Sequence, residues 1–229
     1  MKSVIARKAF LTSLPVMAGY VVLGIGFGIL LRNAGFGLPW AFAMAVAIYA
    51  GSMQYVGVGL LAGGAGIVTT ILTTVMVNAR HLFYSISMID RYKNAGKYKP
   101  YLIFALTDET YSLLCSGETP DGEHADLYRF LVSLFNQLYW ITGCVLGSLL
   151  GAILPFPSTG IEFSMTALFI ASFTEQWIRS RDHLPALTGL LSTLLCLLLF
   201  GPENFLIPAM LLITFILTLL RGRLGRKSA

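Results

Sequence analysis

The sequence predicts an all-α polytopic membrane protein, and three observations carry that prediction. Of its 229 residues 56% are hydrophobic and only 12% charged, with a mean hydropathy of +0.74, whereas soluble domains carry about a quarter charged residues. Eight apolar stretches of 16 to 25 residues follow one another, and a helix of about 20 such residues crosses the hydrocarbon core. Most basic residues stand in short clusters between these stretches, as topology determinants do. A soluble helical protein would have to hide every one of these runs. The formal charge of +5 is unevenly spread, with most basic residues in short clusters between the apolar stretches and at the ends, so it gives no basis for nucleic-acid binding.

The stretches are 9–31, 39–62, 67–89, 101–116, 130–154, 161–178, 184–201 and 205–220. The opening "MKSVIARK" resembles a signal-peptide n-region, but the 23 apolar residues after it exceed an h-region and lack an A-x-A site, so 9–31 reads as a retained span. Segment 39–62 holds Gly51, Gly57 and Gly59 around Gln54, and glycine weakens a helix by about 1 kcal/mol against alanine. Segment 101–116 is short of a full span and carries "TDET" near its centre, so it is expected to be tilted or broken. Segment 161–178 ends with Glu175 and Gln176.

If all eight stretches crossed from a cytoplasmic N-terminus, the link with Arg91, Lys93, Lys97 and Lys99 would fall outside, against the positive-inside rule. Letting 39–62 and 161–178 dip in and return repairs this. The prediction is then about six full spans plus two re-entrant or broken segments, with both termini cytoplasmic and 13 of the 16 Lys and Arg inside. The acidic link 117–126 falls outside. An internal similarity points the same way: at a shift of about 123 residues Gly24 and Gly28 fall on Gly147 and Gly151, Gly37 on Gly160, and, after a one-residue slip, Gln54 on Gln176. The whole chain, 1–229, then reads as one transmembrane domain with half-repeats 9–116 and 128–221, the inverted plan of secondary transporters. Chance alignment of glycine-rich apolar sequence is the alternative.

The polar residues inside the apolar stretches are the candidate site. Thr70, Thr74, Asn78, His81 and Ser85 share one stripe of segment 67–89, and Thr73, Arg80, Tyr84 and Ser87 a second. An arginine at the bilayer centre costs about 3 kcal/mol on insertion scales. Asp108 and Glu109 are adjacent and so diverge by about 100° around a helix, while Asp108 and Tyr111 share a face. Each has a plainer reading: Arg80 as an interfacial anchor, Asn78 as an interhelical clasp, His81 as a packing residue, Asp108, Glu109 and Glu175 as solvated acids. The glycine rows Gly143/Gly147/Gly151 and Gly24/Gly28 read as devices for close helix packing. Cys115, Cys144 and Cys196 form no disulfide framework. With no nucleophile–base pair, metal-ligand spacing or phosphate loop, neither an enzyme nor a cofactor is expected.

"AGSMQYVGVGLLAGGAG", "MVNARHLFYSISM" and "TDETY", in this order and behind "SLPVMAGYVVLGIGFGILLRNAGF", resemble the AzlC family of branched-chain amino acid export proteins over nearly the whole chain, in particular its large subunits of bacterial L-valine exporters. The resemblance implies a bacterial inner-membrane permease exporting valine and related amino acids such as methionine. It also implies a small, separately encoded AzlD-like membrane subunit. Asn78, Arg80, His81 and Tyr84 match its N-x-R-H-x-x-Y signature; Asp108, Glu109 and Tyr111 match the acidic one; Gly51 and Gln54 match the first. The substrate-binding set expected is Gly51, Ser52, Gln54, Asn78, Arg80, Tyr84, Glu109 and Tyr111, with His81, Asp108 and Glu175 for proton coupling. A zwitterion with a branched side chain needs an acceptor for its ammonium, a cation or helix N-terminus for its carboxylate and an apolar pocket. An amino-acid channel, or a structural membrane subunit without its own substrate site, remains the alternative.

Overall fold

The computed structural model describes residues 2–116, 120, 124–153 and 183–227, with scattered positions (163, 166, 167, 170, 173, 174, 177, 178) between. Among them every regular element is helical. The chain divides into two compact units, Met1–Met165 and Thr166–Ala229.

The first unit begins with α1 (Lys2–Asn33), which passes through Pro15 without ending. Gly35, at φ +91°, stops it: Phe36 N–H bonds back to Leu31 O at 3.1 Å, closing the last turn in a left-handed cap that a side chain would disfavour. Segment 39–62 is broken, as its glycines led us to expect, but the break lies ahead of them. Helix α2 (Leu38–Ala47) ends before Ile48, and α3 starts at Gly51 and runs to Ala62. Gly57 and Gly59 sit inside α3. The break turns on Tyr49, whose φ of +44° is a left-handed conformation that costs a non-glycine residue about 1–2 kcal/mol.

Helix α4 (Ile67–Tyr92) is continuous. Segment 101–116 is broken into α5 (Lys99–Phe104) and α6 (Asp108–Ser116). Thr107 starts α6: its Oγ1 accepts from Thr110 N–H at 3.3 Å, and Asp108 and Glu109 fill the first turn, where the helix dipole favours negative charge. Helix α7 (Ala125–Ile153) completes the unit.

Helices α1 and α7 form its spine. A Cβ built on Gly24 would lie 2.9 Å from the Gly143 Cα, and one on Gly28 would overlap the Cys144 carbonyl oxygen. Gly147 faces the Ile25 backbone in the same way. The glycine rows are therefore a packing seam, as their spacing predicts. One core cluster gathers Tyr20, Phe27, Tyr49, Tyr55, Trp140 and Cys144; another gathers Ile5, Met88, Leu102, Leu114, Tyr128 and Val132.

The second unit contains α8 (Leu184–Asn204), kinked at Gly201 with φ +73°, and α9 (Leu206–Lys227), packed on each other. Segment 161–178, with its expected re-entrant turn and Glu175, lies largely outside the described residues.

Among the described residues three helices are long and apolar enough to cross a membrane by length and composition: Ser3–Asn33, Ala125–Ile153 and Leu184–Gly201. Shorter apolar helical stretches are Leu38–Ala47, Ile67–Ala79 and Leu211–Leu220. Helix α4 is 26 residues long, and its apolar stretch Ile67–Ala79 ends inside the polar signature that starts at Asn78.

Candidate functional site

The two interruptions of the first unit come together. Tyr49, at the break between α2 and α3, packs on Phe104, the last residue of α5, with ring centroids 6.3 Å apart. Around them lies a buried polar cluster drawn from α1, α3, α6 and α7.

On one side the indole of Trp140 donates from Nε1 to Gln54 Oε1 at 2.8 Å. Gly51 allows this approach, since a Cβ there would stand 3.1 Å from the same indole. The Tyr20 ring meets the indole edge-on at 5.5 Å. Its hydroxyl lies 2.7 Å from Thr107 Oγ1 and donates to Glu109 Oε2 at 2.7 Å. Thr107 Oγ1 donates to Thr110 Oγ1 at 3.0 Å, and Asn136 Nδ2 donates to the same oxygen at 3.0 Å. Four elements are thus joined by consecutive hydrogen bonds in a place water does not reach: Gln54, Thr110 and Asn136 are each 0% exposed. A neighbouring pair, Tyr101 and Gln137, is joined at 2.6 Å.

The second group sits between α4 and α6. Tyr84 stacks on Tyr111 with centroids 5.4 Å apart, His81 meets Tyr84 edge-on at 5.2 Å, and Ser87 Oγ lies 3.1 Å from the Tyr111 hydroxyl. His81 Nδ1 lies 3.1 Å from the Asn78 carbonyl oxygen, while Asn78 Oδ1 is buried without a hydrogen-bond partner among the described residues. Thr70 and Thr74, expected on the polar stripe, instead bond to the carbonyls of Gly66 and Thr70 on their own helix, which satisfies them without a neighbour.

The expected residues therefore fall into two groups that meet at α6. Glu109 faces α1 through Tyr20, and Tyr111 faces α4 through Tyr84. Ser52 is buried and Asp108 half-buried. The Arg80 side chain and Glu175 lie outside the described residues. The sequence reading missed Tyr20, Tyr49, Asn136 and Trp140. Asn136 and Gln137 had a readable signal, two adjacent amides inside an apolar span; Tyr20 and Trp140 had none, because aromatic residues are ordinary in such spans. Among the described residues no three of His, Cys, Asp or Glu gather as metal ligands.

Apolar helices, two of them interrupted, with the interruptions meeting at an enclosed polar cluster, define a helical membrane protein with a buried site. The family model described as AzlC protein matches residues 15–154, and the chain belongs to that family. That span holds both groups of site residues. The chain is 43% identical over 220 residues to the branched-chain amino acid transport protein AzlC of Bacillus subtilis, covering 96% of this chain and 87% of that one. It is 40% identical over 223 residues to an uncharacterized membrane protein of Haemophilus influenzae, covering 97% and 91%. To the inner membrane protein YgaZ of Escherichia coli it is 26% identical over 177 residues, covering 74% and 72%. No solved structure matches the chain.

Proposed function

We propose that this protein exports L-valine and related branched-chain or apolar amino acids, including methionine, across the bacterial inner membrane by proton-coupled secondary transport. The observation that carries the reading is the meeting of two interrupted helices at a buried polar cluster, the arrangement by which transporters build a substrate site at membrane depth. The transport name of the Bacillus subtilis relative supports the substrate class.

Glu109 offers an anionic acceptor for the substrate ammonium. The start of α3 at Gly51 and Ser52, next to Gln54, offers donors for its carboxylate, with Arg80 as the cation. Asn78, Tyr84 and Tyr111 form the α4–α6 side of the site, and His81, Asp108 and Glu175 are the groups for the coupling proton. The protein works with a small AzlD-like membrane subunit. The topology is about six spans with re-entrant 39–62 and 161–178, half-repeats 9–116 and 128–221, and both termini cytoplasmic. The glycine seam supports the repeat in one respect: the stretches it equates, around Gly24/Gly28 and Gly147/Gly151, include residues on both sides of the α1–α7 contact.

The test is counterflow of labelled valine in proteoliposomes, with and without the small subunit, across a set of amino acids and pH gradients. Saturable counterflow, with net flux driven by the proton gradient, is expected. Unsaturable flux indifferent to pH would make the protein a channel, and no flux at all a structural subunit. Asp108→Asn and Arg80→Gln variants that reach the membrane normally and transport at the wild-type rate would remove those two residues from the mechanism.

A further inference from the structure

Two amides in the buried cluster are each half-satisfied, and in opposite senses. An indole N–H only donates, so the 2.8 Å contact with Trp140 holds the Gln54 oxygen toward the ring. The Gln54 Nε2 group is left buried with no partner among the described residues. Asn136 spends its Nδ2 on Thr110, and its Oδ1 is likewise buried with no partner. Both residues are wholly buried, where native proteins pair nearly every polar atom. Asn136 and Trp140 are four residues apart on one face of α7, about 6 Å along its axis.

We propose that Asn136 and Gln54, the latter positioned by Trp140, are the two poles of an occluded subsite for an α-amino acid zwitterion. Asn136 Oδ1 accepts from the ammonium, and Gln54 Nε2 donates to the carboxylate. The surroundings have matching polarity. Asn136 is joined through the Thr110 and Thr107 hydroxyls to Tyr20 and thence to Glu109, an acceptor-rich side. Gln54 lies beside the same indole that touches Gly51, the first residue of α3, a 12-residue helix whose N-terminus has no side-chain cap and whose dipole favours an anion. Trp140 is a positioning residue: its N–H fixes which end of the Gln54 amide faces the ligand. This rests on the exporter reading and adds Asn136 and Trp140 to the site.

The test separates the poles with half-ligands. The purified full chain is titrated with labelled L-valine, with 2-methylpropylamine, which has only the amine, and with 3-methylbutanoate, which has only the carboxylate. Loss of one hydrogen bond to a charged group corresponds to roughly tenfold in affinity or more. Gln54→Ala is expected to weaken valine and 3-methylbutanoate by about that factor and to leave the amine unchanged. Asn136→Ala is expected to weaken valine and the amine and to spare the carboxylate. Trp140→Phe, which keeps a ring and loses the N–H, should follow the Gln54→Ala pattern. Gln54→Glu keeps the acceptor for Trp140 and replaces the donor with a repelling oxygen, so it should lose 3-methylbutanoate while retaining the amine; Asn136→Asp should retain the amine. Retention of the spared half-ligand shows that a variant is folded. Equal weakening of all three ligands by Gln54→Glu, or no weakening by Gln54→Ala and Asn136→Ala, would overturn the proposal and leave the two amides to a structural water. The half-ligand pattern among the variants, together with no valine counterflow by the wild-type protein, would overturn the exporter reading and keep the subsite. Counterflow without the pattern would do the reverse.

Discussion

The Tyr20 hydroxyl on α1 donates a 2.7 Å hydrogen bond to Glu109 Oε2 on α6 and lies 2.7 Å from Thr107 Oγ1. One phenol thus ties the longest helix of the first unit to the start of a half-helix. Hydrogen bonds to charged groups contribute about 1.5–3 kcal/mol, and breaking one in a buried place leaves its partner unpaired. Tyr20→Phe is expected to lower the unfolding midpoint in detergent, and Glu109→Gln as well. The double variant should be less destabilised than the sum by at least about 0.5 kcal/mol. Strict additivity in that double-mutant cycle would show that the two groups do not interact.

The α1–α7 seam gives a contrast between glycines. A Cβ on Gly147 would collide with the Ile25 backbone, which cannot move aside as a flexible side chain would. Gly147→Ala should therefore cost about 1–3 kcal/mol, as overpacking does, and reduce the amount of protein in the membrane. A Cβ on Gly59 meets nothing within 4 Å, and the residue sits inside α3. Gly59→Ala is expected to be neutral or to stabilise by up to about 1 kcal/mol through helix propensity. Thermal melts of the two single variants suffice, and equal effects would refute the seam.

Thr107 caps α6, donates to Thr110 and lies 2.7 Å from the Tyr20 hydroxyl. Thr107→Val keeps the shape and removes the oxygen. It should destabilise by about 1–2 kcal/mol from the lost cap and reduce valine counterflow, because Glu109 is in the first turn that the cap fixes. Thr107→Ser should restore most of both. Failure of serine to rescue would assign the effect to packing of the methyl group.

Arg91, near the end of α4, donates to the Leu114 carbonyl in the last turns of α6 at 2.6 Å. A basic side chain at a helix C-terminus satisfies an orphan carbonyl and complements the dipole. Arg91→Gln is expected to cost about 1 kcal/mol and to increase amide exchange in 112–116 specifically. Arg129 pairs with Asp126 at 2.7 Å within α7 and donates to the Arg91 carbonyl at 3.1 Å in an exposed contact, and exposed polar contacts contribute little, so Arg129→Gln should have a smaller effect, under about 1 kcal/mol. A larger loss for Arg129→Gln would reverse this ranking.

The interruptions were legible in outline. A 16-residue stretch carrying "TDET" is too short and too polar for a plain span, and it is broken between Phe104 and Asp108. The break in 39–62 was legible, but its position was not. Glycine content pointed to 51–59, whereas the chain breaks at Tyr49 and Ala50: Ser52 to Tyr55, Gly57 and Val58 are buried and hold α3 as one helix, and the helix carries Gly59 with it. The polar stripe of α4 was half right in its consequences. Tyr84 does meet Tyr111, but Thr70 and Thr74 return their hydroxyls to their own backbone.

By itself the sequence determined what depends on neighbours within a few turns: the apolar lengths, the glycine spacing of Gly24/Gly28 and Gly143/Gly147, and the acids that open α6. It also carried the motifs of the AzlC family. Only the tertiary structure decided which side chains meet. Gln54 finds Trp140 across 86 positions and Tyr20 finds Glu109 across 89. Such pairings depend on how α1 and α7 cross and on where each broken helix docks. Those are sums of many weak contacts over distant elements, which no local pattern of residues encodes.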